Sequence, residues 1–207
     1  MNLAWNTTKV LITGNSGSGK TVFWTRYLIG SEARWKFAFD HDGQLSHRLK
    51  VRPARTLGEV AQASAKGWCI YDPSVMYPGR LAEAFEFFTR YVFEAAKATR
   101  GRKLFACDEL QQFVPSRQFP AAFAAILQTG RVYELDAAFI SVAPNMVHTE
   151  IRNQATEVVA FTTMGESAVG FLEAEWGFQG EDLRRLPQFH FIARRKAGGE
   201  VRGVVTP

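Results

Sequence analysis

The stretch GNSGSGKT at residues 14–21 limits what this chain can fold into more than any other. The apolar run KVLIT leads into it and VFWTRYLI follows. Gly14-Asn15-Ser16-Gly17-Ser18-Gly19-Lys20-Thr21 satisfies the full pattern G-x-x-x-x-G-K-[ST]. Small residues let successive backbone N–H groups converge on phosphate oxygens. A helix that begins at Lys20 aims its positive end at the same anion. Lys20 adds a charge at the β- and γ-phosphates, and Thr21 offers a hydroxyl to Mg²⁺. Strand, loop and helix in that order belong to an α/β sheet whose strands run mostly parallel.

The rest of the chain keeps that alternation. Short apolar runs at 9–13, 36–39, 68–71, 104–107, 137–142 and 157–161 read as strands. Several are apolar throughout, as strands covered on both faces should be. Helices are expected at 20–29, 80–99, 120–128, 145–154 and 166–175. In the second of these, Leu81, Phe85, Phe88, Val92 and Ala95 recur on one face. A late pair, 188–194 and 200–205, is joined by Lys196-Ala197-Gly198-Gly199 and reads as a hairpin at the sheet edge. No repeat or linker divides the chain, so 1–207 is expected to be one domain.

A phosphate loop needs a partner that holds the metal and prepares the nucleophile. KLFACDEL at 103–110 supplies one: an apolar strand that ends in Asp108-Glu109. An acid at the carboxyl end of a parallel strand points into the crevice where ligands bind. Asp108 is the candidate for Mg²⁺, through water, and Glu109 for orienting or deprotonating the attacking water. Two acids with different tasks favour hydrolysis over transfer to a substrate hydroxyl. The plainer reading makes Asp108 a helix cap and Glu109 a solvated charge.

Composition narrows the classes. At 46% hydrophobic and 22% charged, with 17 Phe and 5 Trp, the chain suits a globular core. Cys69 and Cys107 sit in apolar runs and read as buried, reduced thiols. The four histidines lack metal-ligand spacing. No apolar run approaches the roughly 20 residues of a membrane span. The opening MNLAWNTTK lacks the charged head and apolar stretch of a signal peptide. A net charge of +5 permits contact with nucleic acid, and basic residues cluster at 97–103, 184–185 and 194–196. No [NT]-K-x-D signature occurs, which counts against a small GTPase.

Four further pieces follow one another: FAFDHDGQ at 37–44, ACDEL at 106–110, LQTGRVYELDAAFISVAPNMV at 127–147 and EIRNQATEVVAF at 150–161. Together they resemble the FtsK–HerA group of DNA-pumping ATPases over most of residues 8–162. The resemblance implies a RecA-like P-loop core that binds ATP and Mg²⁺ and assembles as a ring, normally a hexamer. It also implies an arginine from a neighbouring subunit at the γ-phosphate. Arg131 in QTGR is the first candidate for that finger and Arg152 in EIRNQ the second. Each has a plain alternative: a basic helix C-terminus for Arg131, a surface charge for Arg152. The group usually ends its fourth core strand in a Gln sensor, yet Val142 stands here, with Ser141 or Asn145 as substitutes.

The small size resembles the minimal genome-packaging ATPases of tailless, internal-membrane phages. That setting implies double-stranded DNA as partner, docking to capsid-vertex or membrane proteins, and a place in host cytoplasm or at the virion packaging vertex. The late hairpin could contact DNA or simply edge the sheet. Two other readings share the phosphate loop: a small-molecule kinase of the nucleoside type, and a nucleotide-dependent assembly ATPase.

Overall fold

The computed structural model describes residues 8–114 and 119–206. The first seven residues of the stretch read above for a signal peptide lie outside them. Strand β1 (Lys9–Thr13) enters the phosphate loop and α1 (Lys20–Gly30) leaves it. Then come β2 (Trp35–Phe39), α2 (Gln44–Leu49), α3 (Leu57–Ala65), β3 (Trp68–Tyr71), α4 (Leu81–Ala98) and β4 (Lys103–Cys107). The second half continues with α5 (Ala121–Thr129), β5 (Leu135–Ser141), α6 (Thr149–Gln154), β6 (Glu157–Ala160), α7 (Glu166–Trp176), α8 (Gly180–Arg185), β7 (His190–Arg195) and β8 (Glu200–Val204).

Among the described residues the strands form one sheet in the order β3-β2-β4-β5-β1-β6-β7-β8. The first six run parallel; β7 and β8 are antiparallel and close one edge as the expected hairpin. The central strands are covered on both faces, and their side chains alternate between two cores. Val10 and Ile12 of β1, with Leu104 and Ala106 of β4, pack under α1 around Trp24 and Leu28. Leu11, Phe105 and Cys107 face the other way, into the larger core.

Phenylalanines fill that larger core. On α4, Ala84, Phe85, Phe88, Thr89, Val92 and Ala96 are buried. Leu81 and Ala95, expected on that face, lie half-buried at its margin. Phe85 meets Phe113 at 4.6 Å and Phe123 at 5.1 Å between ring centroids. Both cysteines are free and buried, and burial pushes both thiols up.

Expected boundaries move at several ends, two of them with a local cause. The helix expected at 145–154 begins only at Thr149, because Pro144–Met146 forms a separate 3-10 turn. Strand β5 stops at Ser141 rather than Val142, where the Ala143 N–H turns back onto Ser141 Oγ at 3.2 Å.

Candidate active site

The phosphate loop is built by what its glycines allow. Gly14 adopts φ 139°, and a Cβ there would lie 2.7 Å from Cβ of Phe161. Gly19 adopts φ 118°, and a Cβ would meet the Phe189 ring at 2.9 Å. Side chains are excluded at both positions by conformation and by space. The loop is then fastened to segments distant in sequence. The Asn15 N–H donates to Thr162 O at 2.8 Å, and the Phe189 N–H donates to Ser18 O at 2.9 Å. Gln188 Nε2 donates to Gly17 O at 3.0 Å. Phe189 itself holds φ 66°, an uncommon left-handed conformation for a side chain of its size.

Lys20 is 6% exposed, and its Nζ donates to Asn15 O at 2.7 Å, so the ammonium lies back along the loop. Burial pulls it below the usual lysine range, and the nearby charges of Asp108 and Glu109 partly restore it. Ser18 Oγ and Thr13 Oγ1 are buried without a protein partner. Two orphaned hydroxyls, a buried cation and a loop whose Gly14 and Gly19 exclude side chains fit a polyanion and its counter-ion. Ser16 and Gly17 lie exposed at the rim, and Thr21 lies in the first turn of α1.

The acids stand across the crevice. Strand β5 lies between β1 and β4, so Asp108 leaves the sheet two strands, about 10 Å, from the loop. Asp108 is buried, and burial pushes its carboxyl up to about 6. The Glu109 N–H donates to Asp108 Oδ1 at 2.7 Å and opposes that rise, while the charges of Asp42 and Glu109 add to it. Glu109 is half-exposed and takes a left-handed φ of 47°. Gln112 Nε2 donates to Glu109 Oε2. No helix capped by Asp108 follows: Leu110–Gln112 is a single 3-10 turn, whose N-cap is Glu109 and carries no side-chain cap bond.

Sequence reasoning passed over His41, which follows β2 next to β4. Its ring is nearly buried, and Nε2 lies 3.8 Å from Glu109 Oε2. Its place two residues beyond an apolar strand, matching that of Glu109 beyond β4, was the only signal, and it gains meaning only once β2 pairs with β4. Its neighbour Asp40 is buried and structural: its two oxygens accept the N–H groups of Leu45 and Ser46 at the start of α2.

The arginines stand elsewhere. Arg131 lies in the 3-10 turn Gly130–Tyr133, which feeds the amino end of β5. β1 and β5 run in register, Lys9 beside Ala137 and Thr13 beside Ser141. Arg131 is therefore at the far end of the sheet from the loop, roughly 15 Å away along the strands. Arg152 is in the last turn of α6, where the chain returns toward Lys9. Its guanidinium lies 5.3 Å from the Phe171 ring centroid and donates to Thr149 Oγ1 at 2.9 Å. Neither arginine joins the phosphate loop of its own chain. At the sensor position Ser141 is buried and occupied by the Ala143 N–H, while Val142 is 43% exposed.

No family model and no curated protein matches the chain. Solved structures do. The genome packaging NTPase B204 of Sulfolobus turreted icosahedral virus 2, in complex with AMPPCP, superposes with a TM-score of 0.76 at 15% identity, covering 98% of this chain and 100% of that one. The DNA-packaging ATPase B204 of Sulfolobus turreted icosahedral virus gives a TM-score of 0.76 at 17% identity, with the same coverage. The cytoplasmic domain of the type VII secretion ATPase EccC of Thermomonospora curvata gives 0.68 at 12% identity, covering 96% of this chain and 25% of that one. Over nearly its whole length the chain has the fold of a viral genome-packaging ATPase, the fold that its resemblance to the FtsK–HerA group implies.

Proposed function

We propose that the chain is an ATP hydrolase that drives double-stranded DNA, in the manner of a viral genome-packaging motor. The observation that carries this is the pair Asp108-Glu109 set two strands from a complete phosphate loop, in a fold shared end to end with packaging NTPases. Gly14 to Thr21 bind the triphosphate. Thr21 and, through water, Asp108 would hold Mg²⁺, which would supply charge neutralisation on the phosphates.

Lys20 leaves the Asn15 carbonyl for the phosphates. Glu109 orients the attacking water and accepts its proton. The water oxygen bonds to the γ-phosphorus as the bond to the β–γ bridging oxygen breaks, and that electron pair leaves with ADP. A half-exposed carboxylate beside the crevice suits this exchange, because water reaches it. The same carboxylate weighs against a small-molecule kinase, which must keep water from the γ-phosphate. Arg131 serves a neighbouring copy in a ring, with Arg152 held in a structural role by Phe171.

Steady-state ATP hydrolysis with and without double-stranded DNA tests this reading, with Lys20→Ala as the blank. Turnover should rise with DNA and the rise should fade with added salt, since phosphate contacts release counter-ions. Hydrolysis indifferent to DNA would move the assignment to a kinase or an assembly ATPase, and turnover surviving in Lys20→Ala would remove the site.

A further inference from the structure

We propose that His41 is the positioning residue of the hydrolytic carboxylate: it fixes Glu109 for attack on the γ-phosphate. The proposal rests on the reading of Glu109 given above. Three features of His41 go beyond packing. Its side chain is 6% exposed, yet Nδ1 has no protein partner. An aromatic hydrocarbon would fill that space at lower cost than an imidazole with an orphaned nitrogen. The ring is also held rigidly, nearly parallel to Phe39 at 6.3 Å and edge-on to Phe113 at 5.5 Å. And the nitrogen that this clamp directs outward is the one 3.8 Å from Glu109 Oε2.

The elements explain why this pair meets. β2 and β4 are parallel neighbours in register, with Phe39 beside Cys107. The residue two past Phe39 and the residue two past Cys107 therefore leave the sheet side by side. Glu109 leaves with a left-handed φ of 47°, which turns it out of line with the strand. His41 and Gln112 both address Oε2. That arrangement leaves Oε1 to face the water. The imidazole touches neither nucleotide nor water in this scheme and acts only through Glu109. A separation of 3.8 Å in the free site closes to a hydrogen bond when nucleotide orders the crevice, as catalytic contacts do.

The test uses the full chain and four substitutions. His41→Phe keeps the ring stack and removes the nitrogens; His41→Gln returns an N–H near the position of Nε2. For His41→Phe, kcat for ATP should fall roughly 10- to 100-fold. ATP binding, followed with a fluorescent ATP analogue, and the melting temperature should stay near wild type. His41→Gln should recover part of kcat. In a Glu109→Gln background, His41→Phe should cost nothing further, because the group it positions is gone. Wild-type kcat in His41→Phe overturns the proposal, as does an equal loss of kcat with and without Glu109. If the wild-type chain hydrolyses ATP and Lys20→Ala does not, those failures belong to His41 alone. If Glu109→Gln turns over like wild type, the role of Glu109 falls first and that of His41 with it.

Discussion

At the scale of single residues, a buried charge needs a reason. In the proposed site Lys20 and Asp108 have one: each is buried beside the crevice assigned to the triphosphate and its counter-ion. Glu157 has none in catalysis. It lies in β6, 3% exposed, paired across the sheet with Val10 and Arg195. Burial lifts its carboxyl to about 8, with the Arg195 charge opposing. Unfolded, it returns to the ordinary carboxylate range. Between those two values the unfolded chain binds fewer protons than the folded one, so stability falls as pH rises from near 4.5 through 8. Below that window both states are protonated and no cost arises. By pH 9 the cost is on the order of a few kcal/mol. Glu157→Gln should remove it. Thermal unfolding at pH 5 and pH 9 should show the wild type losing more melting temperature than the variant; equal losses would leave Glu157 without this role.

At the scale of elements, the strands were legible and several helices were not. Runs such as KVLIT and LFAC are apolar on both faces, and no other element of that length reads so. The long α4 declared itself by period. By contrast α2, α3 and α8 have six, nine and six residues. Fewer than three turns repeat an apolar position too few times to show a period. α3 is marked instead by a cap, Thr56 with Glu59, in which each side chain accepts the other's backbone N–H. The phosphate loop and the acid pair could be read because each is local in sequence. His41 could not, because its meaning arises only when β2 pairs with β4. The same holds for Gln188, which leads into the closing hairpin yet reaches Gly17 O across 171 positions. Gln188→Ala should loosen the loop and raise KM for ATP roughly 2- to 10-fold, the worth of one hydrogen bond. Since the side chain is exposed, kcat and melting temperature should hold. An ATP titration decides it, and an unchanged KM would mean that the backbone bonds from Phe189 N–H to Ser18 O and from Asn15 N–H to Thr162 O secure the loop without Gln188.

At the scale of the whole molecule, sheet polarity becomes a statement about assembly. All parallel strands deliver their loops to one end, where Gly14 to Thr21, Asp108 and Glu109 gather. Arg131 leaves from the other end, beside Lys9, whose ammonium feels its charge. A chain with this layout can use Arg131 on ATP only by presenting it to the site of another copy. Such a contact joins two different faces, and repetition of it closes into a ring or runs on as a filament. The proposed motor therefore predicts a specific complementation. Arg131→Ala chains keep an intact loop and lack the finger; Lys20→Ala chains keep the finger and lack the loop. Each alone should hydrolyse ATP poorly. Mixed at equal amounts before assembly, an Arg131→Ala site beside a Lys20→Ala neighbour regains both parts. Random mixing makes about a quarter of all sites of this kind, each running at a finger-assisted rate. Turnover of the mixture should exceed the average of the two separate preparations, and the excess should peak near equal ratio. A mixture that never rises above that average would remove Arg131 from the neighbouring site and leave its charge a feature of the amino-end surface.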